Sequence, residues 1–217
     1  MSVVIGEVAP LAMGIALSPF PVVPAILLLF TPRARTTSGA FLVGWVAGIL
    51  VAAAVFTALA SVIERSEETP TWASWTKTGL GVVLFFLGAG QWSSRAEKPA
   101  PAWMQTLTEA TPAKALRLGL LMSAVNPKVL LLAAAAGLTI GSAELTAAGT
   151  VTSLVVFTAL AAVTVAFPLL LHVVAGARVL TPLGRAKDWL ATHNAAVTAL
   201  VVLAIGALLI AEGAAGL

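Results

Sequence analysis

The sequence predicts an all-α membrane protein with six transmembrane helices, arranged as two inverted three-helix repeats. The first helix of each repeat, which is the first or the fourth helix of the chain, is predicted to be broken mid-membrane. Three observations carry this prediction: an apolar composition, a one-sided distribution of basic loop residues, and matched proline-containing interruptions in the two halves. Hydrophobic residues make up 59% of the chain and charged residues 10%, with a mean hydropathy of +1.02. Soluble domains carry about 25% charged residues, so this chain could not cover its surface in water.

Composition also excludes several classes of function. The net charge of +3 comes from only 12 basic and 9 acidic residues, which cannot form the dense basic face that nucleic-acid binding needs. The absence of cysteine excludes disulfides and thiolate metal sites. The N-terminus has no basic n-region and its first charge is Glu7, so a cleavable signal peptide is not expected.

Each membrane span needs about 20 mostly apolar residues. Residues 40–62 and 145–177 contain no Asp, Glu, Lys or Arg, which makes the second and fifth spans the clearest. The six predicted spans are residues 8–31, 40–62, 78–93, 116–138, 149–174 and 194–213. They divide the chain into a first repeat (1–93), a cytoplasmic linker (94–115) and a second repeat (116–217) within one membrane domain.

Loop charge supports all six spans. With the N-terminus outside, the cytoplasmic loops and the adjoining Arg117 hold nine of the 12 basic residues: Arg33, Arg35, Arg95, Lys98, Lys114, Arg117, Arg178, Arg185 and Lys187. The positive-inside rule predicts this alternation, with both termini outside the inner (plasma) membrane. The linker contains Trp103, Met104 and Leu107, and both a short interfacial helix and a plain connection fit it.

Polar, proline-containing segments interrupt the first and fourth spans. Proline removes a backbone donor and clashes with the preceding turn, and broken helices survive in lipid only where protein or a polar cavity surrounds them. Corresponding breaks in two inverted halves indicate the central site of a secondary transporter. The alternative interpretation is a pair of ordinary proline kinks. The candidate substrate-binding residues are Ser18, Pro19, Phe20, Pro21 and Pro24 with Ser123, Asn126, Pro127 and Lys128.

The segment Asn126-Pro127-Lys128 predicts a helix start at the membrane midplane, because Asn favours the N-cap and Pro the first helical position. Ser18-Pro19 has the same pattern, so two positively polarised helix ends are expected to face one chamber. Lys128 follows Arg117 by 11 residues, or roughly 16 Å of helix. Its charge there needs compensation, by backbone carbonyls of the first break, by loss of its proton, or by an anionic ligand.

Metal transport and catalysis are not indicated. Hard cations prefer carboxylate ligands, and no Asp or Glu falls at the depth of Lys128, so neither a metal nor a cofactor is expected. Proton coupling would have to use Lys128 or His172, and His172 is interpreted as interfacial. The hydrolase patterns HExxH and GxSxG are missing, so the protein is not expected to be an enzyme.

A stripe of small residues follows the second span at every fourth position: Ala40, Gly44, Gly48 and Ala52. Such stripes let two helices approach closely. The sequence leaves open whether the partner helix belongs to the same chain or to a second copy.

These features resemble the lysine-exporter (LysE) superfamily. Pro19-Phe20-Pro21 lies where those proteins often have Pro-Gly-Pro, and Asn126-Pro127-Lys128 matches their Asn-Pro-Lys. Leu17-Ser18-Pro19, with Thr31-Pro32-Arg33-Ala34-Arg35 after the helix, looks most like the GAP-like branch of sulfolipid- or glycopeptidolipid-addressing proteins. Phe20 in place of the middle glycine departs from the amino-acid exporters and argues against an amino-acid-sized pocket.

The resemblance implies an exporter that moves a small or lipid-linked, anionic substrate outward, with a cell-envelope glycolipid as one candidate. Its expected partners are membrane lipids and that substrate, and a homodimer is left open. The competing hypothesis is a non-transporting accessory subunit of an envelope-lipid export complex, which needs the topology but not the polar breaks.

Overall fold

A computed structural model describes residues 2–63, 72–93 and 107–215, which contain helices and turns and no strand. The α-helices of this part of the chain are α1 (Ser2–Ala16), α2 (Pro19–Leu27), α3 (Ala34–Ile63), α4 (Trp72–Ser93), α5 (Pro112–Ala124), α6 (Pro127–Gly141), α7 (Ala147–Ala175) and α8 (Leu180–Ala215). Short 3-10 turns occupy Leu28–Phe30, Leu107–Glu109 and Gly176–Val179.

Length and composition identify membrane spans in this fold. Two stretches, Ala34–Ala60 and Ala147–Leu190, are long and apolar enough to cross a bilayer singly. The bent pairs α1–α2 and α5–α6 each qualify as one broken span, which gives up to four. The apolar parts of α4 and α8, Thr78–Gly90 and Ala196–Ala211, are shorter. The chain is therefore a helical membrane protein, while the six-span count and the inverted repeat stay predictions.

Outward faces of the long helices are apolar. In α3, Val43, Val51, Val55 and Leu59 recur at multiples of four residues, and each is about half exposed. Soluble monomers rarely expose large contiguous apolar patches, which mark contact with lipid or protein. The opposite face of α3 is fully buried.

The small-residue stripe of α3 packs within the chain. A Cβ added at Gly44 would collide with the carbonyl oxygen of Leu116, and one at Gly48 would collide with the Ser123 hydroxyl. From α5, Gly119 comes equally close to the carbonyl of Phe41. The prediction of close helix approach is confirmed, and the partner is α5 of the same chain, with α6 continuing along α3.

Helices α4 and α8 form the second tight pair. Gly81 lies against Ile210, and Gly88 lies against Leu203, where an added Cβ would fall 2.8 Å from the nearest atom in each case. Because residue numbers rise along α4 while those of the contacted residues fall along α8, the two helices are antiparallel. This pair joins the predicted third and sixth spans.

The broken helices connect the two halves of the chain. Helix α1 packs against α6 and α7, and α2 packs against α7 and α8. The fourth span starts earlier than predicted, because Thr111 accepts a hydrogen bond from the Lys114 amide (3.3 Å) and Pro112 begins α5. Most of the predicted linker, with Trp103 and Met104, lies outside the described residues, and Leu107 begins a 3-10 turn.

Candidate functional site

The first break separates α1 from α2 and bends the chain by 53°. Helix α1 ends at Ala16, and Ser18 adopts an extended backbone (φ −73°, ψ 119°) before Pro19 starts α2. Proline fits the first helical position because the amide it lacks has no partner inside a helix there. The predicted helix break is therefore present at Ser18-Pro19.

One carbonyl group at the first break accepts a hydrogen bond from another helix. The Thr164 hydroxyl of α7 donates a hydrogen bond to the carbonyl oxygen of Ala16. Ser18 is buried at 3% exposure, yet its side chain makes no capping hydrogen bond. The first break is thus stabilised by a residue 148 positions away rather than by its own N-cap.

The second break bends the chain by 65°, between α5 and α6. Asn126 has nearly the same backbone angles as Ser18 (φ −71°, ψ 116°), and Pro127 again starts the helix. Here the side chain does cap the helix, because Asn126 Oδ1 accepts a hydrogen bond from the Lys128 amide at 3.0 Å. The predicted N-cap at Asn126 is confirmed.

Ser123 completes the last turn before the second break. Its hydroxyl lies within hydrogen-bond distance of the carbonyl oxygens of Gly119 (2.9 Å) and Leu120 (3.0 Å), to which it donates. The residue is fully buried where Gly48 of α3 comes closest to α5. Ser123 therefore fixes how α5 packs against α3, and the hydroxyl proton is used within its own helix.

Lys128 follows the second break and is buried, with 7% of its surface exposed. Its ammonium nitrogen Nζ is buried as well and has no hydrogen-bond partner among the described residues. One predicted compensation was a bond from this nitrogen to carbonyls of the first break, but Thr164 holds the Ala16 carbonyl instead. A buried cation without a partner is costly, and the positive end of α6 adds to the local potential.

A contact between α1 and α6 links the two breaks. A Cβ added at Gly14 would fall 3.2 Å from Leu132 Cδ1. Gly14 lies four residues before Ser18, and Leu132 lies four residues after Lys128. Each break is therefore roughly 6 Å along its own helix from this contact. Whether the breaks share one chamber stays a prediction.

The remaining predicted residues differ in exposure. Pro19, Pro21 and Pro24 are buried in α2, whereas Phe20 is 36% exposed. Pro127 is exposed at the start of α6. The prolines thus shape the helices, and a role of any of these side chains in binding stays a prediction.

Sequence reasoning missed several polar groups in the helices around the breaks. Thr164 is one, and no local pattern marks it. The others are buried atoms that lack a hydrogen-bond partner in the parts of the chain described: Thr37 Oγ1, Ser38 Oγ, Trp45 Nε1, Ser153 Oγ and Thr158 Oγ1. His172, which the sequence did single out, also has a buried Nδ1 without a partner in these ranges. Within the same described ranges, no cluster of His, Asp or Glu could hold a metal ion.

Comparison with known proteins gives one result. A family model described as Sap, sulfolipid-1-addressing protein, matches residues 8–215, a range that includes both breaks. No curated protein and no solved structure matches the chain.

Proposed function

The chain belongs to the Sap, sulfolipid-1-addressing protein family, and on that premise we propose that it is a transporter that exports an anionic, lipid-linked substrate across the inner membrane. One observation carries the proposal. Lys128 is buried at a helix break with no partner for its ammonium group in the described structure. An anionic ligand supplies the missing partner.

The chemistry of the second break suits an anion. Backbone amides at the start of α6 and the helix dipole attract negative charge, and Lys128 adds a flexible ammonium donor. A sulfolipid carries a sulfur-containing acidic group, which such a site binds through charge-assisted hydrogen bonds. The family name and the residues at the break therefore favour the same class of substrate.

The contact pattern of the helices supports a two-repeat mechanism. Helix α3 of the first half packs against the broken pair α5–α6, and α7 of the second half packs against the broken pair α1–α2. The antiparallel pair α4–α8 consists of the third helix of each half. We propose six spans with both termini outside, and rocking of the halves about the breaks as the route of alternating access.

The competing proposal is an accessory subunit that scaffolds an envelope-lipid export complex without moving lipid itself. It requires neither a buried cation nor a polar break. The two proposals therefore differ in what happens when the charge of Lys128 is removed.

Reconstitution into proteoliposomes tests the proposal. A sulfated glycolipid is loaded in the inner leaflet, and its appearance outside is measured for wild type, Lys128→Ala, Lys128→Arg and Lys114→Ala. Lys114 is exposed in the first turn of α5, so its variant controls for loss of one positive charge. We expect Lys128→Ala to abolish export with little loss of expression, and Lys114→Ala to export as wild type does. Full export by Lys128→Ala, or no export by wild type, would contradict the proposal.

A further inference from the structure

Two helix connections, one from each half of the chain, meet at one end of the bundle. Residues 28–33 join α2 to α3, and residues 176–179 join α7 to α8. The Phe30 ring lies 3.7 Å from the position that a Cβ on Gly184, in the first turns of α8, would occupy. A small buried cluster at the same place consists of Ile26, Leu29 and Leu183. The two connections are therefore held together by apolar packing.

Arginines surround this contact, and we call the group that they form the basic corner. All four are exposed, and they lie in the two connections or in the first turns of the helices that follow: Arg33, Arg35, Arg178 and Arg185. None of them forms an ion pair with another described residue, whereas Lys187 is paired with Asp188 at 2.8 Å. Glu109 lies in the 3-10 turn that touches residues 28–30. Four guanidinium groups against one carboxylate leave an excess of positive charge.

The basic corner lies where helices reach the membrane surface. The apolar span Ala34–Ala60 begins beside Arg33, and α7 ends three residues before Arg178. Trp189 follows Arg185 by four residues in α8 and is 55% exposed. Tryptophan is enriched at the level of the lipid headgroups. The arginines are therefore expected at the depth of the lipid phosphates.

Exposed apolar side chains adjoin the arginines in both connections. Phe30 is 43% exposed three residues before Arg33, and Val174 is 86% exposed one turn before Arg178. A phospholipid offers a phosphate to the arginines and acyl chains to these side chains, whereas a soluble acidic partner offers only the charge. Arginine binds phosphate through two parallel N–H donors, and basic sites between membrane helices bind anionic headgroups.

We infer that the basic corner binds the headgroup of an anionic phospholipid of the surrounding leaflet, which bridges the α2–α3 and α7–α8 connections. An orientation signal depends only on the sum of loop charges, whereas this site needs arginines from both connections. The bound lipid holds one end of the first half against the second half.

This site is distinct from the one proposed at Lys128. Gly48 of α3 is level with Ser123, just before the second break, and lies 13 residues beyond Arg35. That separation is roughly 20 Å along α3. The inference therefore does not depend on the proposed export function.

Titration of the delipidated full-length protein in detergent, followed by native mass spectrometry, tests this inference. The probes are phosphatidylglycerol, which is anionic, phosphatidylcholine, which has a phosphate but no net charge, and glycerol phosphate, which has no acyl chains. Arg33→Gln and Arg185→Gln, singly and combined, remove one guanidinium group from each connection. The matched control combines Lys187→Gln with Asp188→Asn, which removes an ion pair in α8 without changing the net charge. Lys128→Ala reports on the other site.

We expect the wild type to bind phosphatidylglycerol more tightly than phosphatidylcholine, and to bind glycerol phosphate weakly. Each single arginine variant should weaken phosphatidylglycerol binding about fivefold, the effect of one basic residue near an anionic lipid, and the combined variant should weaken it further. The matched control and Lys128→Ala should bind this lipid as wild type does.

Four results would overturn the inference. Equal binding of the two phospholipids by wild type would remove the role of charge, and tight binding of glycerol phosphate would indicate a site for soluble phosphates. A loss caused by only one of the two arginine variants would show that the connections do not share a lipid. A loss in Lys128→Ala as large as that in the arginine variants would place the lipid at the second break.

Discussion

The two breaks have the same backbone and different chemistry. Ser18 and Asn126 differ by no more than a few degrees in φ and ψ, and each precedes a proline that starts a helix. Asn126 caps its own helix and is followed by a buried lysine. Ser18 makes no capping bond, is followed by Pro19 and Phe20, and depends on Thr164 of α7 to hold the Ala16 carbonyl.

This difference indicates that the shape of the proposed site and its charge depend on different residues. Proline and an extended residue before it are enough to bend the chain, so both halves bend. Among the described residues at the two breaks, the cationic side chain comes from the second half, at Lys128. The first break is tied to α7, so a movement of α7 would act directly on it, whereas the second break is stabilised locally. The proposed mechanism thus has a self-contained anion site and a first break that responds to its neighbours.

Glycine packing in the helices that flank the breaks gives the largest expected effect. Gly44→Ala directs a methyl group at the backbone of α5, and overpacking against rigid backbone costs about 2–3 kcal/mol of unfolding free energy. Gly14→Ala meets chiefly Ile205 Cδ1, the end of a flexible side chain, and should cost less than about 1 kcal/mol. Steric trapping in bicelles measures both. A larger loss for Gly14→Ala would show that α1 is packed more rigidly at Gly14 than α3 is at Gly44, contrary to this account.

The Thr164 bond gives an intermediate effect. Thr164→Val keeps the shape but leaves the Ala16 carbonyl without its donor, and we expect a loss of about 1–2 kcal/mol. Thr158→Val in the same helix is the control, because its buried hydroxyl has no partner in the described part of the chain. That change should be neutral or stabilising. If both variants behave alike in the same unfolding assay, Thr164 does not hold the first break.

Substitutions at the two N-cap positions are expected to have the smallest effect on the unfolding free energy, and they allow a direct comparison of the two breaks. Asn126→Ala removes a capping oxygen and should destabilise the protein by about 1 kcal/mol. Ser18→Ala removes no capping bond, so we expect a loss of no more than a few tenths of a kcal/mol. Thermal unfolding in detergent, calibrated against the bicelle data, can resolve the two. Equal losses would mean that Ser18 caps α2 in the membrane.

The sequence was sufficient for the features that depend on local rules. Proline and asparagine preferences located both breaks, and the four-residue spacing of Gly44 and Gly48 indicated close packing. The partner of that stripe and the Thr164 bond depend on residues far apart in the chain, which local patterns do not encode. For Trp45, the hydrophobic pattern of α3 predicts burial but not the lack of a partner for its indole N–H. The number of spans also depends on α4 and α8, whose apolar stretches are short.

The most direct measurement is a cryo-electron-microscopy map of the protein in nanodiscs that contain a sulfated glycolipid. The account predicts that density for the sulfate lies within hydrogen-bond distance of Lys128 Nζ, beside the start of α6. A map in which Nζ bonds only to carbonyl groups of the chain, or in which the helices run unbroken through Ser18 and Asn126, would contradict it.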